Sequence, residues 1–101
     1  MPEKGNTPCE YQMAIISMFY GIIISMYFFD NQQHKLPHIH ARYQDEEAVF
    51  SIEDAGLIAG NLKTNKARLV QAWIEIHRDE LMADWDLAIN GQEIFKIDPL
   101  K

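Results

Sequence analysis

The chain has 101 residues, which is enough for one domain and too few for two. Its composition is 48% hydrophobic and 24% charged, which excludes disorder along the whole length. The net charge of −6 opposes direct binding to nucleic acid. A single cysteine, Cys9, has no partner for an internal disulfide and so fits a reducing compartment. These properties predict a small soluble protein of the cytoplasm.

The chain begins with twelve residues that contain two prolines, a glycine and no hydrophobic period, so residues 1–12 are predicted to be a flexible tail. A single domain is expected over residues 13–101, and Met13 is a second candidate for the initiating residue. The sixteen residues from Ala14 to Phe29 carry no charge. A membrane helix needs roughly 20 apolar residues, and a signal peptide needs a basic leading region, so neither is expected. β-branched and aromatic side chains, with a central Gly21, instead predict two strands over 15–19 and 22–29.

Three further strands are predicted from alternation and turn residues, over 38–43, 47–52 and 57–62. The loop between the last two contains Gly56, which is expected to supply a positive φ. From Thr64 the hydrophobic period becomes that of a helix, which Thr64 or Asn65 would cap and Asn90-Gly91 would end. Residues 94–97 are predicted to form a short last strand.

A helix of about 25 residues would be roughly 37 Å long, which exceeds the size of a domain this small. It is therefore expected either to break between His77 and Glu80 or to pack its far end on another chain. The fold class is α+β, a four- or five-stranded antiparallel meander with this helix on one face. Strand 22–29 is apolar on both faces, and monomers seldom expose such a surface. A homodimer or a complex with a small protein is therefore expected.

The charge is uneven along the chain. Residues 45–101 hold 12 acidic and 6 basic residues, so the whole net charge lies in the second half. An acidic half can attract a basic partner, or it can simply be a solvated helix face.

Candidate chemistry centres on the histidines. His38, His40 and Arg42 alternate with apolar residues, so they are expected to share the face directed away from the core. Two imidazoles on one face can bind a divalent metal such as zinc. His34, or His77 with Glu80, could supply further ligands, and Asp45 to Glu47 could supply an acid. General acid–base catalysis and histidines held by ordinary hydrogen bonds are the two alternatives.

Other motifs that carry chemistry are missing. The sequence has no nucleotide-binding glycine motif, no paired-cysteine motif and no zinc-protease motif, and its serines lack the context of a catalytic triad. No cofactor is therefore expected apart from a possible metal ion.

Three blocks of residues resemble a known family. They span Ile15 to Tyr27, Leu36 to Tyr43 and Ala67 to Trp85, and the PHIHARY run is the most specific of them. The chain is identified on these blocks as a member of a small bacterial family, domain-of-unknown-function family four-one-six-zero, and the resemblance runs from about Ile15 to Ile97. The departures are the twelve leading residues and the loop 31–36, which displaces His34 from the family's first histidine. The resemblance implies no established activity, but it implies a neighbouring gene for a second small protein, an arrangement like that of toxin–antitoxin pairs.

Two functional hypotheses follow. The first is a protein-interaction module in a two-protein pair, whose partner is a second copy or the small protein encoded nearby. It is preferred because the chain lacks a complete catalytic set. The second is a small metal- or histidine-dependent hydrolase or nuclease that uses the face of His38, His40 and Arg42, with His77 and Glu80 as further candidates.

Overall fold

A computed structural model describes residues 13–29 and 36–101. Residues 1–12, with the predicted tail and Cys9, and the segment that contains His34 lie outside the described residues. The described elements are five strands and two helices: β1 (Met13–Phe19), β2 (Ile22–Tyr27), β3 (His38–Tyr43), β4 (Glu46–Ser51), β5 (Leu57–Gly60), α1 (Thr64–Ile76) and α2 (Arg78–Ile89). The predicted fold class is confirmed.

The five strands form one antiparallel sheet in the order β1-β2-β3-β4-β5, a meander. The uncharged run is two strands, as predicted, and they turn at Tyr20 and Gly21, whose φ angles are 52° and 79°. Left-handed conformations at both positions match the twist of a two-residue hairpin. Within the described ranges, neither helix is both long and apolar enough to cross a membrane.

The hydrophobic core lies between one face of the sheet and the two helices. Alternation along each strand turns one set of side chains to the helices, and these side chains are buried against α1 and α2. The central members are Ile22, Ile24, Met26, Ile39, Ala41, Ala48 and Phe50 from the sheet, with Val70, Trp73, Ile74 and Leu81 from the helices. Neither of the two described helices lies on the opposite face of the sheet.

The long helix is interrupted at His77, which confirms the predicted break. His77 has φ −111° and ψ 25°, and it stands between the end of α1 and the start of α2. Arg78 holds the start of α2 on the sheet, because its Nε donates to the Ile52 carbonyl at 2.8 Å. The predicted cap on α1 is wrong: neither Thr64 nor Asn65 caps it. The capping residue is Lys63, whose N–H donates to the Glu46 carboxylate at 2.8 Å, a favourable place for a negative charge.

The prediction for Gly56 is also wrong. In the loop between β4 and β5 it is Ala55 that has a positive φ, 62°, while the Gly56 N–H donates to Asp54 Oδ1 at 2.9 Å. The aspartate side chain closes the turn, so the glycine is not needed for a left-handed conformation there.

Residues 92–101, the C-terminal segment, lie along β1 and the helices without forming the predicted strand at 94–97. Hydrogen bonds hold this segment on β1, α1 and α2: the Ile97 N–H donates to the Ile16 carbonyl (2.8 Å), the Trp73 indole N–H to the Asp98 carbonyl (2.8 Å), and the Phe95 N–H to Asp84 Oδ1 (3.0 Å). Among the described residues the segment makes one backbone hydrogen bond to β1, at Ile97, and not the repeated bonds of a ladder. It therefore covers the β1 edge without extending the sheet. Burial raises the pKa of Asp84.

Candidate functional site

The candidate site is the sheet face opposite the helices, called here the open face. Cross-strand partners share a face, so the register places on it the following side chains: Met13, Ile15 and Met18 of β1, Ile23, Ser25 and Tyr27 of β2, His40 and Arg42 of β3, and Glu47 and Val49 of β4. The predicted strand alternation is confirmed for His40 and Arg42, which both point away from the core.

A groove of about 280 Å³ runs across the open face. Its apolar wall is formed by β1 and β2, and its polar wall by β3 and β4. The lining residues are Met13, Ile15, Ile23, Ser25, Tyr27, His40, Arg42 and Glu47. The apolar wall is exposed to solvent, with 46% of Met13 and 36% of Ile15 accessible. The groove therefore joins exposed hydrocarbon to the side chains of His40, Arg42 and Glu47.

His40 stands at the centre of the polar wall. Its ring packs edge-on against Tyr27, with ring centroids 4.5 Å apart, and its Nδ1 lies 3.7 Å from Glu47 Oε2. This separation is that of an ion pair, longer than a normal hydrogen bond. The side chain of His40 is 17% exposed and that of Glu47 is 46% exposed. The Glu47 carboxylate can therefore also pair with a cationic or hydrogen-bonding group of another molecule.

Arg42 is the cation of the groove. Its Cα is paired with that of Glu47 across β3 and β4, but the carboxylate of Glu47 turns to His40. The side chain of Arg42 donates one long hydrogen bond, from Nε to the Gln44 carbonyl at 3.5 Å. Among the described residues the guanidinium pairs with no carboxylate. Its terminal N–H groups are thus available to an anionic group of a ligand or partner.

His38 does not lie in the groove, contrary to the prediction that it turns away from the core with His40 and Arg42. It is fully buried, and its ring packs against Trp85 of α2 with centroids 4.9 Å apart. Its Nδ1–H donates to the Leu36 carbonyl at 2.7 Å. Strand alternation places His38 on the same side of β3 as His40, as predicted. However, His38 is the first residue of β3, and there Trp85 of the helical layer covers its ring.

The predicted metal ligands are only partly brought together. The rings of His38 and His40 are neighbours, with centroids 5.4 Å apart. No group of three or more metal-binding side chains occurs within residues 13–29 and 36–101. His77 and Glu80 form their own pair, Nδ1–H to carboxylate, and the His77 ring packs on Trp73 in the helical layer. Zinc binding by His38 and His40 stays a prediction.

The sequence did not predict that Ser25 and Tyr27 lie beside His40. Ser25 is the cross-strand partner of His40, and Tyr27 contacts the His40 ring. Their presence depends on the register between β2 and β3. The connection between these strands is long and has no two-residue turn signal, so the sequence carries no information on that register.

The family model of DUF4160, a domain of unknown function, matches residues 21–86, from the turn before β2 into α2. No curated protein and no solved structure matches the chain. The groove residues of β2, β3 and β4 lie inside the matched range, whereas β1 and the C-terminal segment lie outside it.

Proposed function

Since the chain belongs to the DUF4160 family, whose description assigns no activity, we propose its function from the geometry of the open face. The protein is an interaction module that works in a two-protein pair, arranged like a toxin–antitoxin pair, and the open face is its binding surface. We place the protein in the cytoplasm, because a chain with a single cysteine fits a reducing compartment.

The observation that carries the proposal is the exposure of the β1 side chains. Met13, Ile15 and Met18 are 46%, 36% and 59% accessible, and they adjoin the half-buried Ile23 and Tyr27 on the same face. Methionine, aromatic and arginine side chains are those enriched at the centres of protein interfaces. Arg42 and Glu47 border this apolar area as a polar rim. Burial of such a patch on a partner removes apolar surface from water.

Co-expression with the product of the adjacent gene tests the proposal, with a tag on one protein only. The parent chain should co-purify with that product in a fixed ratio. Ile15→Lys should abolish co-purification, because it places a charge in the apolar centre of the open face. Ile76→Lys is the matched control, since Ile76 is 65% exposed at the end of α1 and outside the open face. Equal co-purification of both variants would contradict the proposed surface.

The pairing of His40 with Glu47 favours a second candidate, a histidine-dependent hydrolase or nuclease. A histidine beside a carboxylate can accept and return a proton, and the guanidinium of Arg42, which pairs with no carboxylate among the described residues, can hold an anionic substrate group. The test is hydrolysis of an activated phosphodiester and of single-stranded RNA, with zinc and with a chelator. Activity lost in His40→Gln but kept in His77→Gln would support this candidate. Activity unchanged in both variants would exclude His40 from it.

A further inference from the structure

We propose that the open face binds a second copy of this chain, open face against open face, about a twofold axis. The inference rests on the proposed function, because it names what occupies the same surface when the chain is alone; the small protein of the pair would displace the second copy. The assembly has four layers, with the two sheets inside and the two helical layers outside. Three features of the described residues support a second copy over other occupants.

The first feature is the charge pattern of the groove. Arg42 and Glu47 are cross-strand partners, so one cation and one anion lie side by side on the open face. A partner surface of a single sign would meet a like charge at one of them. The open face of a second copy carries both signs at the same spacing. A twofold axis can then set Arg42 of each copy against Glu47 of the other, which makes two ion pairs across the interface.

The second feature is the location of the acidic residues. The exposed acids of α2, Asp79, Glu80 and Asp86, lie in the helical layer, behind the sheet as seen from the open face. Packed sheets lie about 10 Å apart, and salt screens charges beyond about 8 Å. In this arrangement both sheets stand between the two helical layers, so the acidic residues of the two copies lie farther apart than the screening distance. The repulsion between two chains of net charge −6 is therefore weakest in this arrangement. Contacts through the helices would bring these acids together.

The third feature is the free part of the apolar surface. Met13, Ile15 and Met18 belong to the edge strand β1, and none of the seven residues of β1 is charged. Edge strands usually carry charges or prolines that discourage association. The C-terminal segment covers the backbone edge of β1 at Ile16, but these three side chains stay accessible. An apolar surface without such charges or prolines can pack against the same surface of a second copy.

Light scattering on the purified chain, from 1 to 100 µM, tests the inference. The parent should reach twice the 11.7 kDa mass of one chain at tens of micromolar. Ile15→Lys should remain a monomer over the whole range, whereas Ile76→Lys should associate like the parent. Circular dichroism and urea unfolding of each variant confirm that it is folded.

Charge reversal tests the twofold ion pairs. Arg42→Glu alone and Glu47→Arg alone should each weaken association at least tenfold, because each reversal places like charges together twice. The double variant Arg42→Glu/Glu47→Arg restores opposite charges and should recover most of the loss. A double variant as weak as the single ones would overturn the twofold pairing.

The outcomes separate this inference from the proposed function. A parent chain that stays a monomer up to 100 µM overturns the second copy. If that monomer still co-purifies with the adjacent gene product, the interaction module stands with a different occupant. A dimer that Ile76→Lys dissociates and Ile15→Lys does not would overturn the open face as the interface. A monomer with no co-purifying protein overturns both.

Discussion

Gly60, the last residue of β5, controls the position of the strand that carries the groove's carboxylate. Its φ is +79°, and a Cβ added there would lie 2.3 Å from the Glu47 carbonyl oxygen and 2.9 Å from the Ala48 Cα. Both are backbone atoms of β4, so neither can move without disturbing the pairing of β4 with β5. The Gly60→Ala substitution should therefore both strain residue 60 and displace the strand beneath Glu47.

The cost has two parts. An alanine in the left-handed region loses roughly 1–2 kcal/mol relative to glycine. Relief of a backbone contact about 1 Å too short costs roughly another 1–3 kcal/mol, as in overpacked cores. The free energy of unfolding should thus fall by about 3 kcal/mol in all. For a domain of this size the fall corresponds to a loss of roughly 15 °C in the melting temperature.

Gly56→Ala is the matched control in the neighbouring loop. The nearest atom to its added Cβ is Asp54 Oδ1, at 3.1 Å, so the exposed aspartate has to shift by only a few tenths of an ångström and can keep its hydrogen bond. Its φ lies outside the left-handed region, so the substitution should change stability by less than about 1 kcal/mol. Urea unfolding followed by circular dichroism measures both variants. Equal losses in Gly60→Ala and Gly56→Ala would refute this account of β5.

Three further predictions concern the core and the histidines. Burial raises the pKa of Asp84, so the folded state favours the neutral form of this carboxyl group. The free energy of unfolding should therefore fall as the pH rises from the ordinary aspartate pKa of 3.8 through the raised pKa of the folded state. The urea midpoint of Asp84→Asn should not fall over this pH range. If it falls as in the parent, another titratable group is the cause. Trp73→Phe removes the hydrogen bond to the Asp98 carbonyl and part of a buried ring, which should cost about 2 kcal/mol. Amide exchange in the C-terminal segment should then accelerate, and unchanged exchange there would show that the indole does not hold it. Calorimetric titration with zinc should give heat with the parent and none with His38→Ala/His40→Ala, while negligible heat with both would remove the metal hypothesis.

Most of the fold could be predicted because its signals are local. Alternation and the Tyr20-Gly21 turn predict the meander, and the excess length of the helical pattern predicts the interruption at His77. The failures involve groups that are distant in sequence. Glu46, on a preceding strand, accepts the N–H of the capping residue Lys63, and the C-terminal segment is held mainly by side chains of α1 and α2, so no local pattern marks either arrangement.

The site could be predicted only in part. The period of two places His40 and Arg42 on the open face correctly, because strand geometry alone decides it. The same rule cannot show that Trp85 covers His38, or that Ser25 lies opposite His40, since both depend on how separate elements pack. Glu47 was one of three acids within reach, and only the structure singles it out as the partner of His40.

The accessibility of the β1 methyl groups in solution tests the central claim, that the open face is a binding surface, most directly. In one chain Met18 is 59% exposed and Ile76 is 65% exposed, so a soluble paramagnetic compound should relax their methyl signals almost equally. At concentrations where the chain associates, or with its partner bound, relaxation should become weak at Met13 and Met18 and stay strong at Ile76. The fully buried Met26 gives the protected limit. Met13 and Met18 signals that relax as strongly as that of Ile76 under these conditions would contradict the claim.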